Sequence, residues 1–289
     1  MKGIILAAGS GTRLYPASLP ISKILLPIYD KPMIYYPLST LMLAEIRDVL
    51  IITNQSDHAA FKRLLGDGSH LGINIQYSIQ RVQRGIADAF IIAEEFINRE
   101  NVVLILGDNV FYDPSFPTLL KNIIKRSDGA TILGHKVSDP KRFGVVEFDE
   151  NRKVISLEEK PENPKSSYAA TGLYFYDDRV CEYAKQVVPS SRGELEITDL
   201  NKIYMRNGKL GVEPLGDEFT WFDTGTHDSI LLASNKIKEL ELKNKMKIGC
   251  IEEIALKQKF ISAEDLTRNI NKYKDNGYYD YLKELVKNS

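Results

Sequence analysis

Residues 3–16 read Gly3-Ile4-Ile5-Leu6-Ala7-Ala8-Gly9-Ser10-Gly11-Thr12-Arg13-Leu14-Tyr15-Pro16. The apolar half predicts a short buried strand, and the small residues behind it predict a tight loop. Small side chains leave successive backbone N–H groups uncovered, and such a curve attracts phosphate oxygens. Arg13 adds a planar cationic fork suited to the same oxygens, and Lys23 supplies a second cation downstream. The spacing is not the dinucleotide fingerprint, which needs glycine where Leu14 stands, and no Gly-Lys-Ser/Thr follows to make a P-loop. A plain strand-to-helix turn would explain the Gly-Ser-Gly-Thr core alone. Arg13 and the proline-rich stretch behind it favour a nucleotide triphosphate over residues 8–13.

Short apolar runs then alternate with helical patterns. Strands are expected over 2–7, 48–53, 73–79 and 102–106, with helices over 33–45, 56–65 and 86–96. This order predicts an α/β fold with a Rossmann-like, mostly parallel mixed sheet flanked by helices. Ligands bind such folds at the carboxyl ends of strands. The opening loop and Gly107-Asp108-Asn109 both stand there. Residues 8–31 read as one long loop with Pro16, Pro20 and Pro27, and loops of that length are usually functional.

Further along, a helix is expected over 115–127 and a strand over 130–136. A hairpin follows, 144–148 with 154–158, then a strand over 170–176 and helices over 178–187 and 198–206. A strand over 211–215 and a long helix over 226–246 come next. The polar tail after Gly249 shows helical stretches over 252–258, 262–271 and 276–287. It predicts a small helical C-terminal appendage, set against the main body or against another copy.

The 289 residues carry 38 basic and 39 acidic side chains, a net charge of −1. That balance argues against wrapping a nucleic-acid backbone and leaves room for a local basic pocket. No apolar run approaches the roughly 18 residues of a membrane span. The chain opens on a strand with no targeting pattern, so a cytoplasmic location is the expectation. Cys181 and Cys250 match no metal-ligand spacing and the histidines form no HxxxH, which argues against zinc. A magnesium site built from carboxylates stays open.

Asp108 ends an apolar strand, where a carboxylate is costly unless it meets a cation or donors. A magnesium ligand and a turn-capping aspartate both fit it. Asp223, in Thr220-Trp221-Phe222-Asp223-Thr224-Gly225, is the second candidate, though aspartate before Thr-Gly also caps turns. Spacing alone does not bring the two together. Lys160 is either a solvated hairpin end or a phosphate-neutralising cation, with Glu159 placed to accept from sugar hydroxyls. Residues 192–199 read locally as a charged loop and helix cap. Residues 80–85 lie between strand and helix, a suitable place to read a nucleobase edge.

Together these residues resemble the glucose-1-phosphate thymidylyltransferases of the sugar-phosphate nucleotidylyltransferase superfamily. The resemblance covers roughly residues 2–287. It is carried by residues 9–16, Ser22-Lys23, residues 25–37, Leu106-Gly107-Asp108-Asn109, residues 144–148, Leu157-Glu158-Glu159-Lys160-Pro161, residues 192–199 and residues 223–229. It implies a fold of the nucleotide-diphospho-sugar transferase type. The core would span 1–240, with the nucleotide part near 1–110 and the sugar-phosphate part near 111–225. Residues 241–289 would serve assembly or regulation.

The implied reaction joins dTTP and glucose 1-phosphate into dTDP-glucose and pyrophosphate by direct, Mg2+-dependent displacement, the first step toward dTDP-L-rhamnose. Arg13 and Lys23 would hold the triphosphate, Asp108 and Asp223 the metal, and Lys160 the sugar phosphate. Leu6, Ala8, Gly9, Ser10, Gly11, Thr12, Gln80 and Gly85 would line the nucleotide side. Asn109, Gly144, Glu159, Thr171 and Gly172 would line the sugar side. A homotetramer with feedback inhibition by dTDP-rhamnose is implied as well.

Four departures from the family pattern lie near the nucleotide: Ala8, Ile24, Val82-Gln83-Arg84-Gly85 and Asp88. They leave open a uridylyltransferase using UTP. A catalytically silent nucleotide-sugar sensor is the reading from another class, and it would be expected to lack one of the carboxylates or cations retained here.

Overall fold

The computed structural model describes residues 1–126 and 128–287. Ser127, which closes the helix expected over 115–127, lies outside the described residues, as do Asn288 and Ser289 of the expected C-terminal segment. The first half runs β1 (Lys2–Ala7), β2 (Pro27–Ile28), β3 (Lys31–Pro32), α1 (Tyr35–Leu43), β4 (Asp48–Thr53), α2 (His58–Leu65), β5 (Asn74–Ile79), α3 (Asp88–Ile92), α4 (Glu94–Ile97) and β6 (Val102–Leu106). Then come β7 (Asn109–Tyr112), α5 (Phe116–Lys125), β8 (Ala130–Lys136), β9 (Gly144–Phe148), β10 (Val154–Glu159), β11 (Tyr168–Tyr176), α6 (Val180–Ala184), α7 (Ile197–Arg206), β12 (Leu210–Pro214) and β13 (Thr220–Asp223). Helices α8 (His227–Asn244), α9 (Ile251–Lys257), α10 (Ala263–Ile270) and α11 (Gly277–Lys287) close the chain.

The main sheet has the order β10-β9-β11-β6-β1-β4-β5, with β8 and β12 attached through β11. β6, β1, β4 and β5 are parallel neighbours. β11 turns the sheet antiparallel by pairing with β6, β8 and β9. The mixed sheet expected from the strand–helix alternation is therefore parallel across β6, β1, β4 and β5. Successive residues on the central strands point to opposite faces. Ile5, Ile51 and Ile105 join a core with α1, α2, α5 and α8, whereas Ile4, Leu50 and Leu104 join one with α3, α6 and α7. Burial on both faces explains why these strands read as unbroken apolar runs.

The segment expected as a featureless loop over 8–31 is more ordered than that. It holds 3-10 turns at Thr12–Leu14 and Lys23–Leu25 and the β2–β3 pair. Leu14, Ile24 and Ile28 are fully buried and pin it to the core. The single helix expected over 86–96 is two helices that meet at Ala93, where ψ is 4°. The β7–β13 pair went unread in the sequence because only two residues separate β7 from β6 and both strands of the pair are short.

The tail builds a small core of its own from Cys250, Leu266, Ile270 and Leu282. A buried ionic cluster fastens the loop before α1 to α8. Lys31 is 3% exposed, pairs with Asp30, and reaches Glu241 at 3.0 Å. Lys247 joins both carboxylates from the far side, at 3.5 Å from Glu241. Removing one partner of a buried pair strands the other charge and costs about 3–5 kcal/mol. Lys31→Met should therefore lose about 3 kcal/mol in urea melts, and adding Glu241→Gln should recover part of that loss. Additive losses in the two single variants would show that the pair is not coupled.

Candidate active site

A cavity of about 660 Å3 opens at the carboxyl ends of β1 and β6. Its wall includes Arg13, Asp108, Asn109, Gly144, Glu159, Lys160, Gly172 and Asp223, all singled out in the sequence. Leu106, Ile86, Arg142, Phe143, Tyr174, Thr198, Asn201 and Trp221 complete much of it.

The β7–β13 pair brings the two aspartates together. Asp223 sits opposite Asn109 in the register, and the Thr224 N–H donates to the Asp108 carbonyl at 2.9 Å. The Thr224 hydroxyl donates to the same carbonyl at 2.7 Å. The juxtaposition leaves an electrostatic signature. Burial and then the neighbouring Asp108 carboxylate push the Asp223 carboxyl above its ordinary range. Burial acts on Asp108 in the same sense, but the Lys23 ammonium outweighs it by charge and hydrogen bond, helped by Asn109. Asp108 ends below its ordinary range, and Lys23 pairs directly with its Oδ2.

Arg13 stands beside this pair. A side chain at Gly225 would come within 2.7 Å of Arg13 Nη2 and 3.2 Å of Asp223 Oδ1, so the missing Cβ makes room for the guanidinium. Gly11 has φ +65°, the left-handed conformation that suits glycine. Gly9, Ser10, Thr12 and Arg13 are exposed, so the loop presents its surface to solvent. Ala8 is fully buried and stays out of the positive-φ region, which accommodates its methyl group.

The Asn109 Oδ1 accepts from Gly172 N at 3.0 Å and Trp221 Nε1 at 2.7 Å, while its Nδ2 donates to Asp108 Oδ1 at 3.1 Å. It braces Asp108 against β11 and β13. A Cβ at Gly172 would fall 2.7 Å from this amide. Thr171 is fully buried, and its hydroxyl has no hydrogen-bond partner among the described residues.

On the opposite wall, Lys160 takes φ 43°, a left-handed conformation that costs a lysine roughly 1–2 kcal/mol. Its N–H donates to the Phe143 carbonyl at 3.0 Å. Glu159 accepts from Thr198 Oγ1 at 2.5 Å and lies 3.5 Å from Arg192. The 192–199 segment, locally a charged loop and cap, thus supplies part of the wall. What distinguished it in the sequence was the family resemblance; its own composition gave no such signal. Arg142 left no comparable trace, because a basic residue beside a 3-10 turn reads as surface. Its charge acts on Asp223 across the cavity.

Lys23 reaches the site through Asp108. Leu6, Ala8, Gln80 and Gly85 lie outside the cavity wall, toward β4 and β5. Gln83 Nε2 donates to the Ala8 carbonyl at 2.8 Å and ties the 80–85 loop to the opening loop.

The nucleotidyl transferase family model matches residues 2–239. A glucose-1-phosphate thymidylyltransferase of Neisseria meningitidis is 54% identical over 99% of this chain and 100% of its own length. One from Xanthomonas campestris is 51% identical over 99% and 97%. A Bacillus anthracis structure described as a glucose-1-phosphate thymidylyltransferase in complex with a sucrose superposes with a TM-score of 0.75 at 43% identity, covering 82% of this chain and 94% of that one. A UDP-glucose pyrophosphorylase complexed with UDP-glucose shares the fold, with a TM-score of 0.74 at 22% identity over 83% and 98%. The chain belongs to the nucleotidyl transferase family and, within it, to the glucose-1-phosphate thymidylyltransferases.

Proposed function

We propose that this protein transfers a thymidylyl group from dTTP to glucose 1-phosphate, releasing pyrophosphate and dTDP-glucose. The observation that carries the reading is a single cavity with two adjoining carboxylates at its base and Arg13, Lys160 and Arg142 in its wall. A sugar phosphate oxygen is ionised near neutral pH and needs no general base. The obstacle is repulsion between two anions, about 4 kcal/mol for one pair at 4 Å and an effective dielectric of 20. Arg13 and Lys23 hold the triphosphate and steady the departing pyrophosphate, and Lys160 holds the sugar phosphate. The fixed walls set both reactants in line.

Asp108 and Asp223 offer hard oxygen donors from adjoining backbone positions, a donor set that fits Mg2+ with substrate phosphates and water completing its shell. When bound, that ion supplies charge neutralisation between the phosphates. Asn109 braces the Asp108 carboxylate with one Nδ2 hydrogen and keeps the other for the sugar, which in this reading it meets together with Glu159, Gly144 and Gly172; Thr171, fully buried and off the cavity wall, supports them from behind.

Residues 1–110 then serve the nucleotide, 111–225 the sugar phosphate, and the tail serves assembly and regulation. A homotetramer inhibited by dTDP-rhamnose agrees with the tail's separate core and with an apolar cavity of about 470 Å3 between α1, β7 and α9. Exposed Leu231, Leu232 and Leu242 on α8 suit contact with other copies. No helix among the described residues is long and apolar enough to cross a membrane, in keeping with a cytoplasmic enzyme.

The direct test is pyrophosphate release from dTTP or UTP with glucose 1-phosphate, with Mg2+ and after chelation. Turnover of dTTP that stops on chelation and returns with Mg2+ is expected; no turnover of either nucleotide would overturn the reading. Asp223→Asn should lower kcat at least about 100-fold, or roughly 2.7 kcal/mol. Its Tm should hold or rise, because the change removes repulsion from Asp108. Normal turnover would take Asp223 out of the metal site. Lys160→Ala should raise KM for glucose 1-phosphate about 10-fold, as expected for one charge-assisted bond, and leave KM for dTTP unchanged. An equal rise for both substrates would contradict the assignment.

A further inference from the structure

The loop after β5 carries a polar network that the transfer chemistry does not use. Gln80 is 6% exposed and Asp88, at the start of α3, is 1% exposed. Gln80 Nε2 donates to Asp88 Oδ2 at 3.0 Å and to the Gly85 carbonyl at 3.3 Å. Arg84 Nη2 meets the other Asp88 oxygen at 2.7 Å. A carboxylate and a carbonyl only accept, so the amide nitrogen must face them, and both its hydrogens are used. The Gln80 carbonyl oxygen keeps its accepting capacity, with no donor to it among the described residues.

The frame around this amide is rigid. A Cβ at Gly85 would fall 2.5 Å from the Leu195 carbonyl oxygen. Leu195 N donates to Arg84 O at 2.5 Å, and Ala87 N donates to Leu195 O at 3.1 Å. The network stands at the carboxyl end of β5, and Gln83 ties it to the opening loop at Ala8. A nucleotide whose phosphates lie over residues 8–13 has its base on this side, beyond the ends of β1 and β4.

We propose that Asp88, braced by Arg84, is a positioning residue that locks the Gln80 amide with its oxygen toward the base, so that the site selects pyrimidines carrying an N3–H donor. Thymine and uracil have that donor. Cytosine has an N3 acceptor, which would leave two acceptors facing each other, a mismatch that polar sites reject strongly. The lock does not separate thymine from uracil. The inference rests on the thymidylyltransferase reading above.

The test is steady-state kinetics with dTTP and dCTP as alternative donors. Asp88→Asn can both donate and accept, so it releases the amide to either orientation. It should raise KM for dTTP about 10-fold, leave kcat within about 3-fold, and cut the dTTP:dCTP ratio in kcat/KM by at least about 10-fold, the factor one hydrogen bond supplies. Arg84→Ala, at a half-exposed position, should move the ratio the same way by about 2- to 5-fold, and Arg84→Lys should restore it. Folded Asp88→Asn with an unchanged ratio would overturn the lock while the transferase reading stands. Should Asp88→Asn fail to fold, an unchanged ratio in Arg84→Ala would overturn it equally. Wild-type protein that turns over neither dTTP nor UTP would overturn the underlying reading and the lock with it.

Discussion

Two partly buried carboxylates held side by side are the constraint on which the site is organised. Asp108 and Asp223 repel each other, and burial raises the cost of charging both. The fold maintains this arrangement because short backbone bonds fix it: Thr224 bonds to the Asp108 carbonyl, and Asp223 stands opposite Asn109. Lys23 offsets one charge directly, and Arg13 and Arg142 act on the other from the cavity. Unfavourable charge density of this kind is expected where a polyanion and a divalent cation are to be bound together.

The walls around the pair are stiffened by hydrogen bonds among the side chains that form and back them. Asn109 links Asp108, Gly172 and Trp221 through its amide, so three elements share one brace. Thr198 and Arg192 hold Glu159 from the α7 side. Farther out, Lys31, Asp30, Glu241 and Lys247 tie the loop before α1 to α8. Precise positioning of reactants requires such support, because misplacement by an ångström forfeits much of the advantage of a prebuilt site.

Much of the scaffold was legible in the sequence. The central strands are buried on both faces, so their apolar runs announce them, and α8 and the tail helices carry helical spacing with capping residues such as Thr226 and Ser262. Other parts were hidden for identifiable reasons. The β7–β13 pair consists of four-residue strands whose partners are more than 100 positions apart, so no local pattern marks it. The ordering of 8–31 comes from Leu14, Ile24 and Ile28 inserting into the core, which isolated apolar residues do not disclose. Thr198, Asn201 and Arg142 carry no chemical signature until the fold turns them toward one cavity.

Local residue order determined the strand-to-loop entry, the cations Arg13 and Lys23, the alternation that makes an α/β sheet, and the polar helical tail, because each depends on neighbours a few positions away. Tertiary structure alone decided that Asp108 and Asp223 meet, that Asn109 braces one of them, and that Asp88 and Arg84 dictate how Gln80 points. These are relations between side chains from separate elements, fixed by sheet register and packing. The one-dimensional chain holds the donors and acceptors, but only closure of the fold determines which of them are left to face a ligand.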